Sequence, residues 1–134
     1  PRRRGRALRA AQAPAPVTPF AQEIRRLRAA RGITLTKMAR DLELSPAYLS
    51  AFEHGRRGRP SPALVVQICA YFNIIWDDAD ELERLAALSD PKVKIDTAGL
   101  SPAATELANR LASRIRDLPA PKLAALLKTI GTPH

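Results

Sequence analysis

The residues with the most distinctive chemistry lie between Glu53 and Pro62, EHGRRGRPSP, where Arg56, Arg57 and Arg59 crowd together behind Glu53 and His54. Guanidinium groups this close repel one another unless an anion neutralises them, and their planar forks of N–H donors suit phosphate oxygens. Gly55 and Gly58 let the backbone turn between them, and Ser61-Pro62 starts a helix whose free N–H groups add positive potential. The pattern is one for holding a polyanion. Chemistry of the bond-breaking kind is not expected. His54 and His134 are the only histidines, Cys69 is the only cysteine, and no glycine-rich phosphate loop or nucleophile-base pair is visible. Asp77, Asp78, Asp80, Glu81 and Glu83 form one acidic cluster, read as complementing a helix N-terminus and not as metal ligands. No catalytic residue, metal or cofactor is therefore assigned.

Composition agrees with a basic partner-binding surface. The chain of 134 residues has a formal net charge of +9, unevenly spread. Residues 1–17 hold five arginines and no acid, residues 18–88 ten basic and nine acidic side chains, and residues 89–134 seven and four. Such concentrations attract nucleic acid and anionic membranes alike. No apolar run is long enough to span a bilayer, and a lone cysteine permits no internal disulfide, so a cytoplasmic, nucleoid-associated protein is expected.

The elements that must position these residues read as helices. Thr18-Pro19, Ser45-Pro46, Ser61-Pro62 and Ser101-Pro102 each place a capping hydroxyl before a proline suited to the first helical position. With no alternating β-branched run, the chain is predicted to be all-α. Helices are expected from Thr18 to Gly32 and over residues 34–42, 45–54, 62–72 and 77–88, forming one domain over residues 18–88. Trp76, before the last of these, is read as sealing the small core or anchoring a protein partner. A linker over residues 89–100 precedes a C-terminal extension, residues 101–134, with two more helices. These begin at Pro102 and end at Ile130, the first running to Leu118 and the second starting at Pro121; Leu107, Leu111, Ile115, Leu123 and Leu127 recur at helical spacing. Two such helices cannot enclose a core and must dock on the domain or on another chain. Residues 1–17, with their Pro-Ala alternation, are predicted to form a disordered basic arm and linker.

Residues 33–55, ITLTKMARDLELSPAYLSAFEHG, have helix-turn-helix spacing, with Ala39 as the small residue where two steeply crossing helices come closest. From IRRLRAARGIT through TKMAR and SPAYLSAFEHGRRGRPSP to LVVQICAYFNI, the chain resembles the phage-repressor-like helix-turn-helix regulators of the XRE family. The resemblance implies a five-helix DNA-binding domain whose second motif helix enters the major groove, with Ala47, Tyr48, Ser50 and Ala51 at or beside base-facing positions. It places Thr34, Thr36, Lys37, Ser45, Arg56, Arg57, Arg59 and Ser61 toward phosphates, and pairs Arg28 with Glu53 as a structural ion pair. Two departures from the family stand out. Glu43 replaces a usual glycine, so a differently shaped turn is expected, and Leu35 replaces a polar residue.

The expected partner is double-stranded DNA, bound by a homodimer formed through the C-terminal helices, with contact to RNA polymerase or a regulator protein as a further class. Methyl groups and one phenol on the recognition helix leave no bidentate reader of guanine or adenine there, so DNA shape and arginines must carry selection. Arg57-Gly58-Arg59-Pro60 also matches the core of a minor-groove AT-hook, which leaves phosphate contact, minor-groove insertion and plain solvation open. Arg2, Arg3, Arg4 and Arg6 of the arm would track the minor groove, add non-specific attraction, or be foreign to the native protein. The alternative reading of the whole chain is a protein-interaction adaptor or antiactivator on a helix-turn-helix scaffold; RNA binding suffers from scarce exposed aromatics.

Overall fold

The computed structural model describes residues 18–131. The basic arm with Arg2, Arg3, Arg4 and Arg6 lies outside them, as does His134. The described residues divide into two compact units, meeting at Val93 and Lys94. The first holds α1 (Pro19–Arg31), α2 (Leu35–Asp41), α3 (Pro46–Glu53), α4 (Pro62–Phe72) and α5 (Trp76–Ala87). The second holds α6 (Pro102–Arg114), a 3-10 turn (Ile115–Asp117) and α7 (Ala120–Ile130). No strand occurs among the described residues, and the fold is all-α.

Five of the seven α-helices start on a local hydroxyl; α5 and α7 follow Ile75 and Pro119 with no side-chain cap. Thr18, Ser45, Ser61 and Ser101 accept the backbone N–H three residues on, with Pro19, Pro46, Pro62 and Pro102 behind them; Thr34 caps α2 through Lys37 in the same way. The ends are equally regular. Gly32, Glu43, Gly55 and Asn73 take left-handed φ values of 64°, 59°, 67° and 56°. At each, paired backbone bonds close the last turn, as when Leu44 N–H reaches Ala39 O at 2.8 Å and Glu43 N–H reaches Arg40 O at 3.1 Å. These are Schellman closures, and they explain why three residues suffice between α1 and α2 and between α4 and α5, and four between α2 and α3. The differently shaped turn expected at Glu43 is corrected: the backbone takes the left-handed path despite the side chain, at a cost of roughly 1 kcal/mol.

In the first unit α1 packs on α3 and α5, α2 on α3, and α4 on α5. Their inward faces supply Phe20, Ile24, Met38, Ala39, Leu49, Phe52, Leu64, Val65, Ile68, Phe72, Leu82 and Ala86 to one core. Ala39 is fully buried, where a larger side chain would push α2 away from α3. Leu35 packs against the core, which is what its apolar side chain gains in place of a polar contact. The domain also runs past the expected boundary at Leu88. Ser89 is buried, and its hydroxyl accepts the Phe20 N–H at 2.9 Å while donating to Leu85 O at 2.5 Å, so the end of α5 caps the start of α1.

Trp76 does not seal the core. It is 82% exposed, beside Ile75 at 61%, and its φ is +54°, a conformation a bulky residue rarely takes. The second unit has no buried residue in either of its α-helices. Its first helix stops at Arg114 and tightens into the 3-10 turn, four residues short of the expected end at Leu118. Leu107, Ile115, Leu127 and Ile130 remain 59%, 50%, 71% and 72% exposed.

Candidate nucleic-acid interface

The geometry of the loop begins with what holds α3. Glu53, its last residue, is only 3% exposed, and its carboxylate accepts from Arg28 Nη2 at 2.7 Å and Nε at 3.0 Å. Arg28 also donates to Ile33 O at 3.3 Å, and Arg25 Nε lies 3.9 Å from the second Glu53 oxygen. One buried carboxylate thus ties α1, the α1–α2 connection and α3 together. The pair is internal and leaves no charge for a ligand.

The outward side of α3 carries the residues the resemblance singles out. Ala47 is exposed, whereas Ser50 and Ala51 are half-buried. Ser50 Oγ sits 3.0 Å from His54 Nδ1, which also lies 2.8 Å from Ser50 O, so this hydroxyl is engaged within the helix end. Tyr48 is half-buried, its ring edge-on to Phe52 at 5.2 Å between centroids. Over the Tyr48 ring, 4.7 Å from its centroid, lies the Arg57 guanidinium. The loop therefore turns back along α3 to its aromatic residue, and packing of Tyr48 and its presentation at the surface coexist.

Arg56, Arg57 and Arg59 are all exposed, and none forms an ion pair among the described residues. Pro60 beside them is buried, which anchors this end of the segment on the domain. Ser45 and Ser61 spend their oxygen lone pairs on the N–H groups of Tyr48 and Leu64, with their hydroxyl protons left to donate. Thr36 is exposed on α2. Lys37 is held by Asp41, Nζ to Oδ2 at 3.0 Å, and Asp41 in turn accepts the Tyr71 hydroxyl at 2.7 Å. These bonds, Tyr71 first and Lys37 second, hold the Asp41 carboxyl below its usual range. An exposed pair of this kind is worth little and exchanges readily, so Lys37 is available to another anion.

Sequence reasoning missed this Lys37–Asp41–Tyr71 chain and the Arg57–Tyr48 stack. The i, i+4 spacing of Lys37 and Asp41 was a usable signal for the first. Nothing local announces the second, since it depends on how the loop folds back. No group of acidic, histidine or cysteine side chains able to hold a metal occurs among the described residues, and burial pushes the Cys69 thiol up, away from the reactive thiolate. No helix among the described residues is long and apolar enough to cross a membrane.

The sequence model of the helix-turn-helix domain family matches residues 19–85, half of the chain. An uncharacterized HTH-type transcriptional regulator, RghRB of Bacillus subtilis (strain 168), is 34% identical over 62 residues, covering 46% of this chain and 45% of its own length. The chain thus spans less than half of that relative. No solved structure matches significantly. The matched residues coincide with α1 to α5, the bundle that carries the α2–α3 motif and the arginine loop: this chain belongs to the helix-turn-helix domain family.

Proposed function

We propose that this protein is a double-stranded-DNA-binding transcriptional regulator of the phage-repressor-like type. In this reading α3 lies in the major groove with Ala47, Tyr48, Ser50 and Ala51 toward base edges, and the loop after it lies along the flanking phosphates. Thr34, Thr36, Lys37, Ser45 and Ser61 sit at or near helix starts, where hydroxyls, an ammonium and free N–H groups suit phosphate oxygens. The observation that carries the reading is the set of three exposed arginines, Arg56, Arg57 and Arg59, without ion pairs and joined directly to the outward side of α3. The printed description of the Bacillus relative as a transcriptional regulator adds to it.

The protein acts as a homodimer, since one such domain spans too few base pairs for useful selection. The second unit supports this: its helices bury nothing by themselves and leave Leu127 and Ile130 over 70% exposed, as an unfilled interface would. The arm, residues 1–17, contributes non-specific attraction. A polarisation titration against random-sequence duplex at low and at physiological salt tests the reading. Binding that weakens steeply with salt is expected; no binding even at low salt would refute it. A second reading, a protein-interaction adaptor, is favoured by one observation, the exposed Ile75–Trp76 pair beside Asp77 and Asp78. Selective capture of a protein partner together with absent DNA binding would establish that alternative.

A further inference from the structure

The recognition helix poses a difficulty for sequence selection. Its outward residues are alanine, tyrosine and serine, and none has the two-pronged donor array that discriminates guanine in the major groove. Arginine has it, and the helix has no outward arginine.

The Arg57–Tyr48 stack supplies one. Tyr48 lies in the first turn of α3, its ring fixed edge-on against buried Phe52. The guanidinium carbon of Arg57 lies over that ring, 4.7 Å from its centroid, a cation–π contact. No hydrogen bond among the described residues engages its five N–H donors. Arg57 forms no ion pair among the described residues that would divert them. A long side chain that would otherwise sample many rotamers thus has a platform on α3 before any ligand arrives. Arg56 and Arg59 are exposed with no such platform and are suited to phosphate as point contacts.

We infer that Arg57, braced on Tyr48, is the residue that selects a guanine in the bound site, one G·C pair per domain. The inference rests on the DNA-binding reading above and refines it: Arg57 reads a base edge, and Tyr48 is a positioning residue that acts through it. The same stack explains why the helix itself can dispense with a polar reader.

The test uses the full chain. Sites enriched from a randomised duplex library are resynthesised with each G·C pair changed singly to A·T, and affinities are compared for wild type, Arg57→Lys, Tyr48→Phe and Tyr48→Ala at fixed salt. Wild type should lose roughly tenfold at one G·C pair per half-site. Arg57→Lys keeps the charge but not the fork, so the ratio of its affinities for the G·C site and the A·T-changed site should fall to near one at that pair. Tyr48→Phe keeps the ring and should discriminate like wild type, whereas Tyr48→Ala should behave like Arg57→Lys, its folding being checked by helical circular dichroism. Discrimination by Arg57→Lys equal to wild type at every pair would overturn the inference, as would a library that yields no preferred guanine. Either result leaves general DNA binding standing. Failure of wild type to bind any duplex would remove that reading itself.

Discussion

The Glu53 carboxylate, almost wholly buried, is held by the Arg28 guanidinium through two hydrogen bonds of 2.7 Å and 3.0 Å, joining the last residue of α3 to α1. A buried acid with its partner removed keeps its desolvation cost without compensation. Arg28→Ala should therefore destabilise the domain by about 3 kcal/mol, measured by urea denaturation. An unchanged midpoint would show that Arg25 or water replaces the contact.

The left-handed backbone at Glu43, φ 59°, is strain without a visible return, since the side chain is exposed. Glu43→Gly should raise stability by about 1 kcal/mol, with the α2–α3 turn unaltered. A loss would mean that glycine's freedom in the unfolded chain outweighs the relief.

Ser89 closes the domain by accepting the Phe20 N–H and donating to Leu85 O. Ser89→Ala leaves that buried N–H without its acceptor and should cost about 1 to 2 kcal/mol. Denaturation of a chain ending at residue 88 should show a loss at least as large, which places the true end of the fold beyond α5.

Asp41 has its carboxyl held down by Tyr71 and Lys37. A depressed carboxyl stabilises the folded state above its ordinary value near pH 4 and loses that contribution as pH falls through the lowered folded value. Asp41→Asn should remove a small part of the acid-side decline in thermal midpoint. An identical pH profile in the variant would deny the linkage.

Trp76, at 82% exposure, should emit like a solvated indole in the native state, be quenched freely by acrylamide, and change little in wavelength on unfolding. A blue-shifted, protected emission in the full chain would mean that a partner surface, such as a second copy, covers it.

The helical framework was legible because four of the helices start on a hydroxyl-proline pair and three of the connections turn on a left-handed glycine or asparagine, all of which are local signals. Thr18, Ser45, Ser61 and Ser101 announce their helices without reference to the rest of the chain. The approach of Arg28 and Glu53 was legible only through the family pattern. What stayed hidden depends on contacts distant along the chain or on relations between side chains. Glu43 takes the left-handed path of the closing turn, with its N–H on Arg40 O and that of Leu44 on Ala39 O, although its type does not announce it. Phe72 and Leu82 are buried while Trp76 lies outside, and composition cannot say which large apolar residue is surplus. The Arg57 stack arises from a loop that folds back on its own helix, and the loop's composition announced charge without announcing direction.

The central claim is that the loop after α3 meets DNA phosphates. Its most direct test is the salt dependence of binding to random duplex, compared between wild type and the Arg56→Ala/Arg59→Ala variant, whose exposed side chains support no part of the fold. Each lost phosphate contact should reduce the slope of log affinity against log salt by roughly 0.9, so a fall of about 2 is expected with folding intact. An unchanged slope and unchanged affinity in the variant would contradict the account.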